Sequence, residues 1–181
     1  GGLGLCPESW LTAGVDLARL RAALQPVLDL PGERVLVSHG EPVTANARAL
    51  LSLTRAVAPQ MPNGASIVAI SSLGSTRVLE DYVLVGTSKA ALESLVRYLA
   101  VELAPRGIRV NAVSAGVVET EALDHFPNRE RMIAMTKERT PAGRMVEPSD
   151  LADAVAFLCS PGAQMICGQT LIVDGGFSLL A

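Results

Sequence analysis

An open, doubly wound parallel α/β sheet is the fold class this sequence predicts, and three observations predict it. Four short runs are rich in β-branched residues and bounded by Gly, Pro, Asn or Asp. Longer segments with helical periodicity separate them. The runs are almost continuously apolar, as suits strands covered on both faces by helices rather than wetted on one.

The elements follow in order along the chain. Residues 1–33 form a divergent N-terminal segment with a helical pattern at about 15–29, and nothing in residues 1–14 suggests a function. "RVLVS" (34–38) is the first strand, and a helix is expected over 44–60. "SIVAIS" (66–71) is the second strand, followed by a helix over 82–104 that Gly107 is placed to stop. "IRVNAV" (108–113) is the third strand. Arg129, Glu130 and Arg131 mark a solvated helix start, and a helix over 149–159 has Pro148 suited to its first turn. "TLIV" (170–173) is the last strand, and Asp174-Gly175-Gly176 makes the turn after it. The order is β-α-β-α-β-α-β, a single domain over 1–181 without repeats or low-complexity tracts.

Composition excludes several classes. The chain has 181 residues, 49% of them hydrophobic, enough for a core. A net charge of -3, without a Lys/Arg cluster, argues against a nucleic-acid surface. No apolar run approaches the roughly 18 residues of a membrane-spanning helix, and no basic segment precedes an apolar one as in a secretory signal. Cys6, Cys159 and Cys167 form no Cys-x-x-Cys motif, which fits a reducing cytoplasm. His39 and His125 are far apart, with no Cys or carboxylate at ligand spacing, so no metal site is expected. The first residue is not Met, as expected of a fragment or processed product.

Chemistry concentrates in "EDYVLVGTSKAALESLVRYLA" (80–100). Tyr82 and Lys89 are seven positions apart, nearly two helical turns, which puts them on one helix face about 10.5 Å apart along the axis. An ammonium near a phenol favours the phenolate and makes the hydroxyl a better proton donor. Such a pair also arises by chance on many helices. Its context distinguishes it: strand 66–71 ends in Ser71-Ser72-Leu73-Gly74, at the carboxyl edge where open α/β sheets hold ligands.

The series "SSLG", then Tyr82 and Lys89, then "GIRVNAVSAGVVETEAL", "PAGRMVEPSDLADAVAFL" and "GQTLIVDGG" resembles the short-chain dehydrogenase/reductase family. The likeness runs from about Arg34 to Ala181. It implies a partial Rossmann-like sheet comprising the family's last four strands. It also implies Ser72, Tyr82 and Lys89 as catalytic residues, with Asn46 supporting Lys89 through water. Tyr82, Lys89, Gly116, Val118 and Thr120 would contact the nicotinamide cofactor. The common branch of the family has Tyr four positions before Lys, where this chain has Val85. The wider spacing is similar to that of enoyl-[acyl-carrier-protein] reductases, and "SSLGS", "NAVSAG", "DHFPNRE" and "TPAGRMVE" resemble the NADPH-dependent kind called FabL.

Chemistry gives the spacing a reason. Ketone reduction delivers hydride to the carbon bearing the oxygen that awaits a proton. Enoyl-thioester reduction delivers it to the β-carbon, while charge collects on the thioester oxygen two carbons away, and a donor moved one turn answers that separation. The second Tyr of many enoyl reductases is absent here, with Ser72 and Val78 at its candidate positions. The resemblance thus implies NADPH or NADH as cofactor, an enoyl thioester on acyl carrier protein as substrate, and a homo-oligomer joined through the helices at 44–60 and 82–104.

No Gly-rich strand–turn–helix is found for the dinucleotide. Gly2-Leu3-Gly4-Leu5-Cys6-Pro7 has Pro7 at the third Gly of such a turn, and no strand precedes it. The family's first three strands are unmatched, the usual "N-N-A-G" turn reads Ser38-His39-Gly40-Glu41, and the loop before Asn46 is shortened. Two further expectations therefore stand beside enoyl reduction. One is a short-chain reductase of a ketone or alcohol. The other is a truncated non-catalytic remnant, or half of a two-chain assembly.

Overall fold

The computed structural model describes residues 34–37, 45–119, 123 and 128–180. The helix expected at about 15–29 and the turn at 38–41 lie outside them. Strands β1 (Arg34–Val37), β2 (Ser66–Ser72), β3 (Arg109–Ala115) and β4 (Thr170–Val173) form one sheet in that spatial order. Every pairing is parallel, with Arg34 opposite Ser66, Ser66 opposite Arg109 and Ala112 opposite Thr170. The expected order is the one found, with β1 at one edge of the described sheet.

Alternation along the central strands divides the core. From β2, Ile67 and Ala69 face one layer while Val68 and Ile70 face the other. From β3, Val110 and Ala112 join the first layer and Val113 the second. Successive side chains of a strand point to opposite faces, so a strand without polar interruption can feed two layers. Helices α1 (Ala45–Val57) and α2 (Val83–Leu103) supply the first layer through Leu50, Leu92, Val96, Leu99 and Leu103. Helix α4 (Pro148–Cys159) supplies the second through Leu151, Val155 and Leu158. Each fully buried Leu or Ile among these contributes about 1.5–3 kcal/mol relative to an exposed side chain.

Helix boundaries follow local chemistry. α2 passes into a 3₁₀ turn containing Pro105 and stops at Gly107, whose φ of 70° is left-handed. A Cβ there would also strike Asn63 Oδ1 at 2.2 Å. α4 begins with Pro148, and Asp150 accepts from the Glu147 amide at 2.8 Å. Arg144 holds Asp150 with two contacts of 2.7 Å, and those bonds keep the Asp150 carboxyl well below the usual carboxylate range. The helix start seen at 129–131 in the sequence grows into α3 (Arg129–Arg139). Strands β2 and β3 run on to Ser72 and Ala115, past the expected ends at 71 and 113, because their ladder still pairs there. That extension carries Ser72 into the sheet. Among the described residues no helix is long and apolar enough to cross a membrane.

Candidate functional site

The carboxyl end of β2 organises the site. Ser72 is extended (φ −152°, ψ 154°), and its Oγ accepts from the Gly74 amide at 3.3 Å. The same oxygen accepts from Tyr82 Oη at 3.1 Å. The sequence places Tyr82 inside a helix over 82–104, whereas the structure makes it the cap: its φ of −115° and ψ of 9° precede the first helical residue, Val83. The cause is local. Asp81 adopts a positive φ of 57°, so the chain turns into α2 only at Tyr82.

Lys89 lies deeper, 1% exposed, and its Nζ donates to the Ile70 carbonyl at 2.9 Å. Tyr82 and Lys89 thus reach positions 72 and 70 of one strand, both near its carboxyl end. Burial lowers the proton affinity of Lys89 from its ordinary value, and the negative charge of Glu93 opposes that fall. Glu93, also buried, accepts from the Ser71 hydroxyl through a short hydrogen bond.

Two glycines permit this assembly. A Cβ on Gly74 would sit 2.4 Å from two carbons of the Tyr82 ring. One on Gly86 would meet the Gly74 carbonyl oxygen at 2.6 Å. The start of α2 rests directly on the end of β2 because both side chains are absent. Gly74 belongs to the quoted motif. Gly86 and Glu93 do not emerge from sequence reasoning, although an acidic residue within "KAALESLV" is a visible anomaly in an apolar helix face.

The end of β3 lies beside that of β2, with Ala115 opposite Ser72. Gly116 donates its amide to the Val173 carbonyl at 3.0 Å, and a Cβ there would crowd Asp174 at 3.2 Å. Val118 pairs with Val146, which brings the segment before α4 against this loop. Among the described residues near α3, Arg129 pairs with Glu119 at 3.1 Å and Arg131 with Glu80 at 3.6 Å. Asp174 accepts from the Gly176 and Ser178 amides at 2.8 Å each, which makes 174–176 the turn expected.

The structure therefore brings Ser72, Tyr82 and Lys89 together, with Gly116 and Val118 following the adjacent strand. Asn46 is the second residue of α1 and is located by its backbone. Thr120, His39 and His125 lie outside the described residues. A cavity of about 570 Å³, lined by Asn63, Gly107, Arg109, Cys159 and Met165 among others, opens at the opposite end of the strands and contains none of the site residues.

Comparison with known proteins adds three findings. A family model described as Enoyl-(Acyl carrier protein) reductase matches residues 35–178. Among curated relatives, 1-cyclohexenylcarbonyl-CoA reductase of Streptomyces collinus is 50% identical over 123 residues, covering 67% of this chain and 44% of that protein. Enoyl-[acyl-carrier-protein] reductase [NADH] FabI of Escherichia coli K12 is 37% identical over 131 residues, 72% of this chain and 50% of the relative. Among solved structures, the NADH enoyl-[acyl-carrier-protein] reductase of Aquifex aeolicus VF5 matches with a TM-score of 0.70 and 37% identity, over 74% of this chain and 52% of that one. A short-chain dehydrogenase/reductase from Brucella melitensis matches with a TM-score of 0.74 and 30% identity, over 90% and 71%. The chain spans about half the length of the curated relatives it matches.

Proposed function

This chain belongs to the enoyl-(acyl carrier protein) reductase family, and from that premise we propose that its site reduces the double bond of an enoyl thioester with NADH or NADPH. The observation that carries this reading is the hydrogen bond of 3.1 Å from Tyr82 Oη to Ser72 Oγ, with buried Lys89 bonded to the carbonyl of Ile70 on the same strand end. A ketone reductase of the wider family would need its Tyr at position 85, and the chain has Val85 there, which has no proton to give.

The residues fit a nicotinamide nucleotide. Lys89 gives one N–H to Ile70, and an ammonium has three, so donors remain for ribose hydroxyls. The loop Gly116–Val118 leaves the adjacent strand and would border the carboxamide, with Thr120 further along toward the phosphates. Asn46 would support Lys89 through water. A reduced nicotinamide, when bound, supplies the hydride that reaches the β-carbon.

The protein's own part is to handle charge at the thioester oxygen. Tyr82 gives its hydroxyl proton to that oxygen as negative charge collects there, and the enol becomes the saturated thioester when its α-carbon takes a proton from solvent and the oxygen releases its own. Without substrate, Ser72 accepts from Tyr82 and Gly74; when Tyr82 turns its one O–H to the thioester, the Ser72 O–H is left as a second donor. It can take over part of the orientation that the missing second Tyr would supply.

For the thioester carrier, the relative named for a CoA substrate favours coenzyme A and those named for acyl carrier protein favour the protein carrier. The FabL-like motifs favour NADPH, and the FabI relatives are named for NADH. The protein would act in the cytoplasm as a homo-oligomer, with Tyr98 and Val101 exposed on the outer side of α2 as contact residues.

The test uses the intact protein that carries these residues. Oxidation of NADH and of NADPH is followed with 1-cyclohexenylcarbonyl-CoA and with an enoyl-acyl carrier protein. Tyr82→Phe should lower turnover by about 10²-fold or more, the scale of a lost general acid. Full activity in that variant would remove this tyrosine from the reaction.

A further inference from the structure

Behind Lys89 stands a second buried charge. Glu93 follows it by four positions on α2, so the two side chains share a helix face. On a surface helix such a pair is an ordinary solvated contact. Here Lys89 is 1% and Glu93 7% exposed. Each charge would be costly in an apolar layer without a partner. Lys89 is tied by Nζ to the Ile70 carbonyl, and the Glu93 carboxylate accepts from the hydroxyl of the next strand residue, Ser71. Ser72, next again, accepts from Tyr82. Three consecutive positions of β2 thus receive Lys89, Glu93 and Tyr82.

We propose that Glu93 is a positioning residue of this site. Its carboxylate acts through Lys89, holding that side chain as an ammonium within the core, and through Ser71, holding the strand end that presents Ser72. Among the described residues, the strands packed on α2 offer no other carboxylate: the polar residues of β2 are Ser66, Ser71 and Ser72, and those of β3 are Arg109, Asn111 and Ser114. Helix α1, packed on α2, carries Arg48 and Arg55, whose charge has the same sign as Lys89. Among the described residues Glu93 is the carboxylate whose charge raises the proton affinity of Lys89, against the burial that lowers it.

The consequence for catalysis rests on the role given to Lys89 above, but the coupling itself can be read without cofactor or substrate. The chain has two lysines, Lys89 and Lys137, so with ¹³Cε-labelled lysine a Lys137→Arg variant assigns both resonances. In the unmodified chain Lys89 should be protonated at pH 7. In Glu93→Gln, which keeps the shape and a partner for Ser71, its titration should move to lower pH. Glu93→Asp, which keeps the charge, should stay near the parent. In kinetics, the alkaline fall of kcat in Glu93→Gln should begin at lower pH than in the parent, while activity on the acid side persists. An unmoved Lys89 titration in Glu93→Gln overturns the proposal, as does a loss of kcat equal at every pH. Should Glu93→Gln not fold, the parent decides: a neutral Lys89 amine at pH 7 sinks the idea. An intact protein carrying these residues that is inactive with either nucleotide, while Lys89 still responds to Glu93, would defeat the enoyl-reductase reading and leave this coupling standing.

Discussion

At Lys89 a long stem and its charged head are enclosed, with one carbonyl as hydrogen-bond partner and one carboxylate opposing the effect of burial. The folded protein therefore releases this proton at a lower pH than the unfolded chain, where the ordinary value is 10.5. Between those two values the unfolded state binds more protons, so this group makes folding stability rise with pH across that window. Below it the protonated Lys89 is a standing cost to the fold. Lys89→Met removes the titration and keeps most of the volume. The stability of the parent relative to Lys89→Met should accordingly improve as pH rises through the alkaline range toward 10.5. Urea unfolding of both proteins at a series of pH values measures this, and a difference that stays flat or falls with pH would contradict it. The same residue shows how far sequence reaches. The pairing of Tyr82 with Lys89 is legible from spacing and the preceding "SSLG". The burial of Glu93 is not, because it depends on which face of α2 meets the sheet, and that face is fixed by Leu92, Val96 and Leu99 together.

Between elements, the decisive contact is the seat of α2 on the end of β2. Gly86 lies in the first turn of α2 and approaches Gly74, which follows the strand. Because the obstacle to a Cβ on Gly86 is the Gly74 carbonyl oxygen at 2.6 Å, and backbone cannot swing aside like a side-chain tip, the helix must move. Tyr82, whose ring carbon lies 3.6 Å from that same Cβ position, moves with it. Gly86→Ala should destabilise by about 1–3 kcal/mol, as overpacking generally does, and should lower kcat beyond what the stability change explains. Unfolding midpoint and kcat measured on one preparation check this, and a variant unchanged in both would show that the elements are not so closely fitted. The strands and their order were readable because runs such as "SIVAIS" are apolar on both faces and punctuated by turn residues. The start of α2 was less so: nothing in "LEDYV" announces the positive φ of Asp81 that leaves Tyr82 at the cap. Only the opening of α3 was marked, since its polar sequence buries Thr136 alone.

Across the whole molecule, the sheet runs β1-β2-β3-β4 without a reversal of strand order among the described residues. In doubly wound folds the dinucleotide occupies the crevice where the order reverses, with its pyrophosphate on a helix N-terminus beside the first strand of the second direction. Tyr82, Lys89 and the loop after β3 can form the nicotinamide side of such a crevice. The described residues do not supply the opposite wall, and β1, at the edge of the described sheet, is where a further strand could pair. The matched relatives are about twice as long as their shared region with this chain. A polypeptide of these 181 residues alone should therefore hold NADH and NADPH weakly. The described residues offer the nicotinamide contacts proposed above, but among them there is no Gly-rich turn and helix start for the pyrophosphate and no floor under the adenosine. Supplying a Gly-rich βαβ segment, joined to the chain or added as a second polypeptide, should strengthen binding of the reduced cofactor. Calorimetric titration of the purified 181-residue polypeptide with each nucleotide is the direct measurement. A dissociation constant of about 1 μM or below, equivalent to about 8 kcal/mol of binding free energy, would mean that these 181 residues already hold the whole crevice.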